Sequence, residues 1–401
     1  MDYIIEQPKK LSVYGDYDVV VVGGGVAGIS AALSAKRTGA KKVLLIEKQF
    51  MLGGLATLGI VTIYLPLCDG EGKQVSFGIA EELLHLSIKH GYEDKYPKAW
   101  LENGTFEEKK QCRFEVQYNA NMFAVLSEKL LLDEGVEILY GTCVCDAIVT
   151  DNKISSLIIE NKSGRSAINV KSVVDSSGDA DVVHLCGEQT DTFKQGNVLA
   201  GWYYFHKNSD YKLKMLGWAD IPEKFKTEEQ KKLEKNLKRF GGLDAKELSE
   251  MMCMSHSLAI DDFLKDGGIS KEHNLALMAT IPQIRMTRKI VSNYSIDDTE
   301  MHKEFSDSVG MFSDWRKKGP VYELPFSCLY GKTVKNIITA GRCISVTEAM
   351  WDVTRVIPVC AVSGQAAGTA AAMSDDFKSL SVESLQEKLV LDGVILHEKD
   401  L

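Results

Sequence analysis

The chain has 401 residues, which is long enough for two domains that each bury a core. With 45% hydrophobic and 26% charged residues, its composition is that of a globular protein. A formal net charge of −9 disfavours nonspecific binding to nucleic acid or to an anionic membrane surface. The sequence has no run of about 18 apolar residues, which a membrane span needs, and its N-terminus lacks the apolar core of a secretory signal. We therefore expect a cytoplasmic protein with neither nucleic-acid nor membrane partners.

Nine cysteines and eight histidines are scattered along the chain. No C-x-x-C motif occurs, which argues against a disulfide framework, a redox-active dithiol and an iron–sulfur cluster. The histidines show no metal-ligand spacing, so no metal site is expected.

The first organised stretch is an apolar run at 18–22, typical of a strand buried on both faces. It leads into a turn at 23–28 that contains G-x-G-x-x-G, then a helix of small residues, and then a second strand at 43–46 that ends at Glu47. The glycines permit a tight turn and a close approach of the backbone to a pyrophosphate, which the helix N-terminus attracts. Glu47 stands 19 residues after Gly28, where it can bind a ribose hydroxyl. The combination predicts a dinucleotide-binding β-α-β unit.

A second glycine turn, Gly53-Gly54-Leu55-Ala56-Thr57, follows Glu47 and Lys48 after a short gap. This arrangement resembles the flavoproteins of the glutathione reductase and fumarate reductase superfamily, where the same elements wrap the ribose and pyrophosphate of FAD. Simple doubly wound NAD dehydrogenases lack the second turn. The resemblance implies that the dinucleotide is FAD.

Amphipathic and alternating patterns predict the elements that come next. Helices are expected at 77–91 and 118–135, with a polar, irregular surface segment at 95–110 between them. A third parallel strand at 136–140 precedes three strand-like runs with turn residues between them. These runs predict an antiparallel β-meander over 142–170.

The next strand, at 171–175, ends in the turn Ser176-Ser177-Gly178-Asp179-Ala180-Asp181. This turn resembles the Ala-Thr-Gly-Asp turn of the same superfamily, which brings backbone against the FAD. Two serines replace the Ala-Thr pair here. The glycine and the acid are retained, so the resemblance implies the same role.

Residues 187–319 carry none of these signatures, and we interpret them as part of a second, substrate-covering domain. A charged helix with a solvated face is expected at 223–239. A second G-x-G-x-x-G motif is absent, which disfavours a dedicated NAD(P)H domain. The region contains the aromatic residues Trp202, Tyr203, Tyr204, Phe205 and Trp218.

Arginine is used selectively near the end of this region, since five of the nine arginines lie between 285 and 355. Arg285 and Arg288 are three residues apart, so a helix would place them on the same side. Such a pair can bind a carboxylate through bidentate hydrogen bonds, or it can form a surface or interdomain ion pair. The spacing supports both interpretations equally.

The last strand of the first domain is expected at 334–340, directly before Gly341-Arg342. After Glu348, Asp352 and Arg355 comes a helix of small residues at 358–372, which can pack closely on the sheet. In an FAD fold, the N-terminal amides of this helix and Arg355 would face N1 and the C2 carbonyl of the flavin. There they would stabilise the negative charge that reduction adds. The alternative interpretation is a plain buried helix.

Taken together, VVVVGGGVAGISAA, IRMTRKI, GRCIS and GQAAGTAAA resemble the FAD-dependent oxidoreductase family of bacterial flavoproteins. That family is distantly similar to the flavin subunits of fumarate reductase and heterodisulfide reductase. Fumarate reductases that bind flavin covalently use a histidine near the second glycine turn. Here that turn reads MLGGLATLG, which implies noncovalent FAD. Some relatives hold iron–sulfur clusters, but this chain has no cysteine run for one.

The resemblance implies an α/β fold: a Rossmann-like FAD-binding domain with a parallel sheet and an antiparallel β-meander, plus a mixed α+β substrate or cap domain. The FAD-binding domain is discontinuous, and we expect it at 15–75, 118–186 and 334–375. The substrate or cap domain is expected at 76–117 and 187–333, and a helical tail at 376–401.

The leading hypothesis is an oxidoreductase that moves a hydride between flavin N5 and a small organic substrate, for which carboxylated molecules are candidates. The alternative is a noncatalytic flavin-binding or redox-sensing protein, and the sequence leaves homo-oligomerisation open. An aromatic hydroxylase is disfavoured, because the superfamily's monooxygenases carry Gly-Asp where this chain has Gly341-Arg342.

The catalytic candidates are Arg355 at the pyrimidine edge, Arg285 and Arg288 as anion anchors, and Glu348 and Asp352 as proton handlers. The residues expected to bind FAD are Gly23, Gly25, Val26, Ala27, Gly28, Glu47, Lys48, Gly53, Gly54, Ala56, Thr57, Val144, Ser177, Gly178, Asp179, Gly341, Arg342, Gly364, Gln365 and Ala366.

Overall fold

The computed structural model describes residue 4 and residues 7–90, 96–217, 226–234 and 237–401. The helices are α1 Val26–Arg37, α2 Ile79–Ile88, α3 Lys98–Leu101, α4 Phe106–Gln111, α5 Ala120–Asp133, α6 Asp181–Leu185, α7 Glu228–Glu234, α8 Ala245–Lys265, α9 Glu348–Thr354, α10 Ile357–Met373 and α11 Val382–Leu391. The strands are β1 Ser12–Val22, β2 Val43–Ile46, β3 Ile63–Tyr64, β4 Val116–Gln117, β5 Glu137–Leu139, β6 Cys143–Thr150, β7 Lys153–Asn161, β8 Gly164–Asp175, β9 Thr190–Thr192, β10 Asn197–Val198, β11 Tyr203–Lys207, β12 Asp210–Lys214, β13 Arg239–Phe240, β14 His273–Met278, β15 Arg288–Ile290, β16 Ser308–Ser313, β17 Val321–Pro325 and β18 Ile337–Thr339.

A parallel sheet with the strand order β5-β2-β1-β8-β18 forms the centre of the fold. Strands β2 and β18 and residues 19–22 of β1 are buried on both faces, as the apolar run in β1 predicts. Val22 at the end of β1 pairs with Ile46 of β2 on one side and with Asp175 of β8 on the other. Thr339 at the end of β18 also pairs with Asp175. The carboxyl ends of these strands therefore lie at one edge, where ligands bind in open α/β sheets.

The five parallel strands and the antiparallel strands β6 and β7 form one seven-stranded sheet. The long strand β8 belongs to both its parallel and its antiparallel part. Its second half lies between β1 and β18, and its first half pairs antiparallel with β7, which pairs antiparallel with β6. The turn between β6 and β7 contains Asp151 and Asn152, both with positive φ. This arrangement confirms the predicted α/β class and the β-meander. Strand β1 begins at Ser12, earlier than the apolar run alone indicates, because residues 12–17 pair with the first half of β8.

Helices α1 and α10 pack closely against each other and on the sheet. A Cβ atom added at Gly364 or Gly368 would lie closer than 3.0 Å to the backbone oxygens of Ala27 and Ala31, respectively. Ser30 Oγ donates to the backbone oxygen of Ala361 at 2.6 Å. The small residues of both helices thus allow their backbones to approach, and this contact holds the C-terminal part of the chain against the nucleotide-binding unit.

The region 187–333 adds a small antiparallel sheet, β12-β11-β14, which packs against α8. The expected helix at 223–239 is described only as the short helix α7, since 218–225 and 235–236, including Trp218, lie outside the described residues. The segment 95–110, predicted to be irregular, instead contains α3 and α4. A capping box between Thr105 and Glu108 stabilises the start of α4.

No single helix among the described residues is long and apolar enough to cross a membrane. Helices α9 and α10 reach that length and apolarity only together, and they are bent by 92° at their junction. In the same part of the chain, no group of three or more His, Cys, Asp or Glu side chains is arranged to hold a metal ion.

Candidate active site

A cavity of about 640 Å³ opens at the carboxyl ends of the parallel strands. This volume lies within the usual range for small-molecule and cofactor sites. Turns that follow β1, β2, β8 and β18 supply its wall, although they are far apart in the sequence. Of the residues expected to bind FAD or to act in catalysis, the cavity is lined by Gly23, Gly25, Val26, Ala27, Glu47, Lys48, Gly53, Gly54, Ala56, Val144, Ser177, Gly178, Asp179, Gly341, Arg342 and Arg355.

The three glycines of the first turn have different physical roles. Gly23 has φ +104°, and a Cβ there would lie 2.5 Å from the backbone oxygen of Ser176. A Cβ on Gly25 would meet no atom within 4 Å, so this glycine leaves the space in front of the α1 N-terminus open. A Cβ on Gly28 would instead collide with the backbone oxygen of Gly23. Gly28 therefore closes the turn onto the helix and does not line the cavity, contrary to the expected FAD contact.

Glu47 holds its carboxylate at the cavity wall through two backbone hydrogen bonds. Gly24 N donates to Oε2 at 2.6 Å and Gln49 N donates to Oε1 at 2.8 Å. The residue is only 6% exposed. Each carboxylate oxygen has about two acceptor positions, so both oxygens retain capacity for a ligand hydroxyl.

The second glycine turn is joined to the first. Gly53 N donates to the backbone oxygen of Gly24 at 2.7 Å, and Gly53 and Gly54 both have positive φ. Thr57 Oγ1 donates to the backbone oxygen of Leu52 and packs against Gly53. Thr57 therefore stabilises the turn from behind, and the predicted contact of this residue with FAD is not seen in the cavity wall.

The turn after β8 is organised by the fully buried Asp175. Its carboxylate accepts hydrogen bonds from Ser177 N, Ser177 Oγ and Val183 N, at 3.0, 2.6 and 2.9 Å. Burial nevertheless raises the pKa of Asp175 to about 6, because desolvation outweighs these donors. Asp179, which lines the cavity, accepts from Thr287 Oγ1 at 2.7 Å and from Arg342 Nη2 at 3.3 Å.

Two arginines and the first turn of α10 form a further part of the wall. Arg342 also donates to the backbone oxygen of Ile284 at 2.9 Å, and Arg355 is paired with Asp352. Ile357 and Cys360 line the cavity beside them. Burial raises the pKa of the Cys360 thiol to about 12, so this thiol stays protonated near neutral pH.

The small-residue segment of α10 does not reach the cavity, which corrects the expected FAD contacts of three residues. Gly364 packs on α1, as described above. Gln365 Oε1 accepts from Ile79 N at 2.8 Å and so caps α2. Ala366 is fully buried in the hydrophobic core.

Arg285 and Arg288 do not share a helix face, because Arg288 begins strand β15 and the residues just before it are irregular. Arg288 braces the turn after β8, donating to the backbone oxygen of Asp179 and to Asp181 Oδ1, each at 2.9 Å. Arg285 lies with its guanidinium 5.8 Å from the centre of the Trp202 ring. Neither arginine lines the cavity.

The two acids predicted to handle protons also lie outside the cavity wall. Glu348 Oε1 accepts from Lys194 N at 3.0 Å, near the start of α9. Asp352 is 2% exposed, and both of its carboxylate oxygens are bound by guanidinium groups, those of Arg355 and Arg316. Neither acid is placed to exchange a proton with a ligand in the cavity.

The region 187–333 contributes an apolar wall that sequence reasoning missed. Pro282 and Ile284 belong to the stretch that drew attention only for its arginines. Helix α8 carries no motif, and its contribution depends on tertiary packing alone. The lining residues from this region are Gly242, Leu248, Ser249, Met252, Ile281, Pro282 and Ile284.

The wall as a whole fits FAD. The space in front of Gly25, together with the α1 N-terminus, matches a pyrophosphate, which backbone N–H groups and the helix dipole bind. The buried carboxylate of Glu47 matches an adenosine ribose. The positively charged Arg342 and Arg355 would be the neighbours of an electron-accepting ring.

Parts of the chain are similar to two curated proteins. Thioredoxin reductase of Ureaplasma parvum serovar 3 is 31% identical over 160 residues, which are 38% of this chain and 49% of that protein. A tRNA uridine 5-carboxymethylaminomethyl modification enzyme of Exiguobacterium sibiricum is 26% identical over 138 residues, 32% of this chain and 21% of that enzyme. The chain thus spans half or less of the length of these curated relatives.

Among solved structures, a geranylgeranyl bacteriochlorophyll reductase-like protein of Thermoplasma acidophilum shows a TM-score of 0.45 and 14% identity, covering 94% of this chain and 82% of that one. The family model described as FAD dependent oxidoreductase matches residues 18–201 and 202–389, nearly the whole chain. The chain therefore belongs to the FAD dependent oxidoreductase family.

Proposed function

We propose that this oxidoreductase transfers a hydride between N5 of a bound flavin and a small organic substrate, with carboxylated molecules as the first candidates. The observation that carries the proposal is the cavity itself, in which Arg342 and Arg355 share one wall with the nucleotide-binding turns. FAD, when bound, supplies the redox chemistry, accepting or donating the hydride and gaining negative charge at its pyrimidine edge on reduction.

The chain's own residues hold the cofactor and set the charge around it. The backbone at Gly23 and Gly25 and the α1 N-terminus bind the pyrophosphate, and Glu47 binds the ribose. Arg355 and the N-terminus of α10 provide positive charge, which favours a negatively charged ligand or ring in the same cavity. The apolar side chains of Met252 and Pro282, which line the cavity, exclude water and so strengthen these charge interactions.

We further propose that FAD is bound without a covalent link and that no iron–sulfur cluster is present. Cys360 lines the cavity close to Gly341, and the raised pKa of its thiol makes it a poor nucleophile. Denaturation of the purified yellow protein should release all of its flavin into the supernatant. Flavin that stays with the precipitated polypeptide would contradict the noncovalent proposal.

The charge assignment is tested by Arg355→Met. This change removes a positive charge where reduction would add a negative one, so the flavin reduction potential should fall. A coupling of about 1.4 kcal/mol corresponds to about 30 mV for a two-electron couple. An unchanged potential at full flavin content would show that Arg355 does not face the ring.

The substrate class is tested by anaerobic mixing of the holoprotein with small carboxylated and uncarboxylated metabolites. The visible flavin absorbance should bleach rapidly with members of the carboxylated set. Equal rates for matched acids and their amides would remove the argument that the cavity arginines select a carboxylate.

A further inference from the structure

Four side chains of alternating charge form a row of ion pairs from the region 187–333 to the cavity wall. Asp314 accepts from Arg316 Nε and Nη2, each at 2.9 Å, and Arg316 Nη1 donates to Asp352 Oδ2 at 3.2 Å. Asp352 Oδ1 then accepts from Arg355 Nη2 at 2.6 Å and from Nε at 3.2 Å. Of these four groups, only Arg355 lines the cavity.

The formal charges of these four side chains sum to zero. Asp314, Arg316 and Asp352 together carry a formal charge of −1, which offsets the +1 of Arg355. The side chains of Asp314 and Asp352 are almost completely buried, and those of Arg316 and Arg355 are 19% and 12% exposed. Burying charges in this way is costly unless each has a partner, so the loss of one member leaves another charge uncompensated.

The contacts also fix the direction of the Arg355 guanidinium. Both hydrogen bonds to Asp352 use one edge of the group, formed by Nε and Nη2. The carbon Cζ lies 5.9 Å from the centre of the Trp315 ring, and Trp315 Nε1 donates to the backbone oxygen of Asp352 at 2.9 Å. Asp352 and Trp315 thus hold Arg355 from two sides, and the remaining part of the guanidinium is the part available to the cavity.

We infer that Asp352 is a positioning residue: it holds Arg355 against the flavin, and Arg316 and Asp314 hold Asp352 in turn. This inference rests on the proposed function, in which Arg355 faces the reduced ring. It replaces the expected role of Asp352 as a proton handler, because its oxygens are bound by two guanidinium groups. It also implies that residues 314–316, in the region 187–333, influence the reduction potential of the flavin.

Two electrostatic effects of Asp352 have opposite signs, and this makes the inference testable. If Asp352 acted only through its own negative charge, Asp352→Asn would raise the potential of the flavin. If Asp352 acts mainly by holding Arg355, the same change lets Arg355 leave the ring, and the potential falls. The direct effect alone should remain once Arg355 is replaced by methionine.

The experiment measures the two-electron reduction potential, by dye equilibration, of four FAD-loaded proteins: wild type, D352N, R355M and D352N/R355M. When Arg355 is present, we expect D352N to shift the flavin equilibrium about threefold or more toward the oxidised form. In the R355M background, the same change should shift the equilibrium toward the reduced form. The double-mutant cycle separates these two effects. Glu323→Gln is the matched control, since this buried carboxylate accepts from Phe305 N and lies outside the cavity wall. It should leave the potential unchanged.

If D352N fails to fold, Asp352→Glu tests the same point, because it keeps the charge and moves the carboxylate by one methylene. A fall in potential for D352E that disappears in the R355M background supports the positioning role. A shift of the same size and sign in both backgrounds, for either variant, overturns the inference and leaves the proposed function intact. An unchanged potential for R355M at full flavin content overturns the inference together with the proposed placement of Arg355.

Discussion

Replacing Glu47 with glutamine tests the proposed contact of this residue with the adenosine ribose of FAD. The carboxylate is held in the cavity wall by Gly24 N at 2.6 Å and Gln49 N at 2.8 Å, and it is 6% exposed. Glutamine has nearly the same shape, so it keeps the volume of the side chain. It replaces one acceptor oxygen by an NH₂ group and removes the negative charge.

The expected size of the effect follows from these contacts. A hydrogen bond to a charged group contributes about 1.5–3 kcal/mol, so loss of one charged ribose contact should weaken FAD binding by about 10-fold to 150-fold. One of the two backbone N–H groups also loses its acceptor, because the amide offers a single oxygen. This second loss should lower the free energy of unfolding of the apoprotein by about 1–3 kcal/mol.

The assay titrates apoprotein with FAD and follows quenching of the flavin fluorescence, while a separate denaturation series measures the stability of each apoprotein. Glu137→Gln is a suitable control, because Glu137 accepts hydrogen bonds from Tyr14 and Tyr17 and does not line the cavity. It should leave the dissociation constant of FAD within about twofold of wild type, well inside one tenfold step of 1.4 kcal/mol. If the Glu47 variant keeps wild-type affinity, the ribose contact lies elsewhere and the reasoning from Glu47 is refuted.

Two further predictions concern stability. Gly368→Ala should lower the free energy of unfolding by about 1–3 kcal/mol, because the added methyl group would collide with the backbone oxygen of Ala31. Helix propensity alone would favour alanine by about 1 kcal/mol, so a stabilised variant in denaturant titrations would contradict the close α1–α10 packing. Asp175, with a pKa raised from 3.8 to about 6, binds a proton more tightly in the folded state, so its contribution to stability should fall as the pH rises from about 4 to 7. The full pKa shift corresponds to about 3 kcal/mol, most of which is lost between about pH 4 and 7, so the stability of Asp175→Asn relative to wild type should increase over this range. A constant difference in stability between about pH 4 and 7 would refute the shift.

The sequence by itself determined the nucleotide-binding part of this protein. The turn after β1, the acid after β2 and the second glycine turn lie within about 40 residues, and their chemistry depends on local backbone conformation. Gly23 needs its positive φ for the tight turn, and the continuous apolar run at 18–22 specifies a strand buried on both faces. The same local signals predicted the meander, because turn residues separate its strands.

The opposite wall of the cavity was decided by tertiary structure. Arg355 and Asp352 are three residues apart, yet one lines the cavity and the other is buried behind it, because residues 314–316 approach from another region. The sequence pattern predicted Gly364 to contact the cofactor, but the close packing of α10 on α1 places this glycine against the backbone of Ala27. The apolar lining from α8 likewise carries no sequence motif. Contacts between distant segments depend on the register of the sheet and the packing of helices on it, which no local pattern encodes.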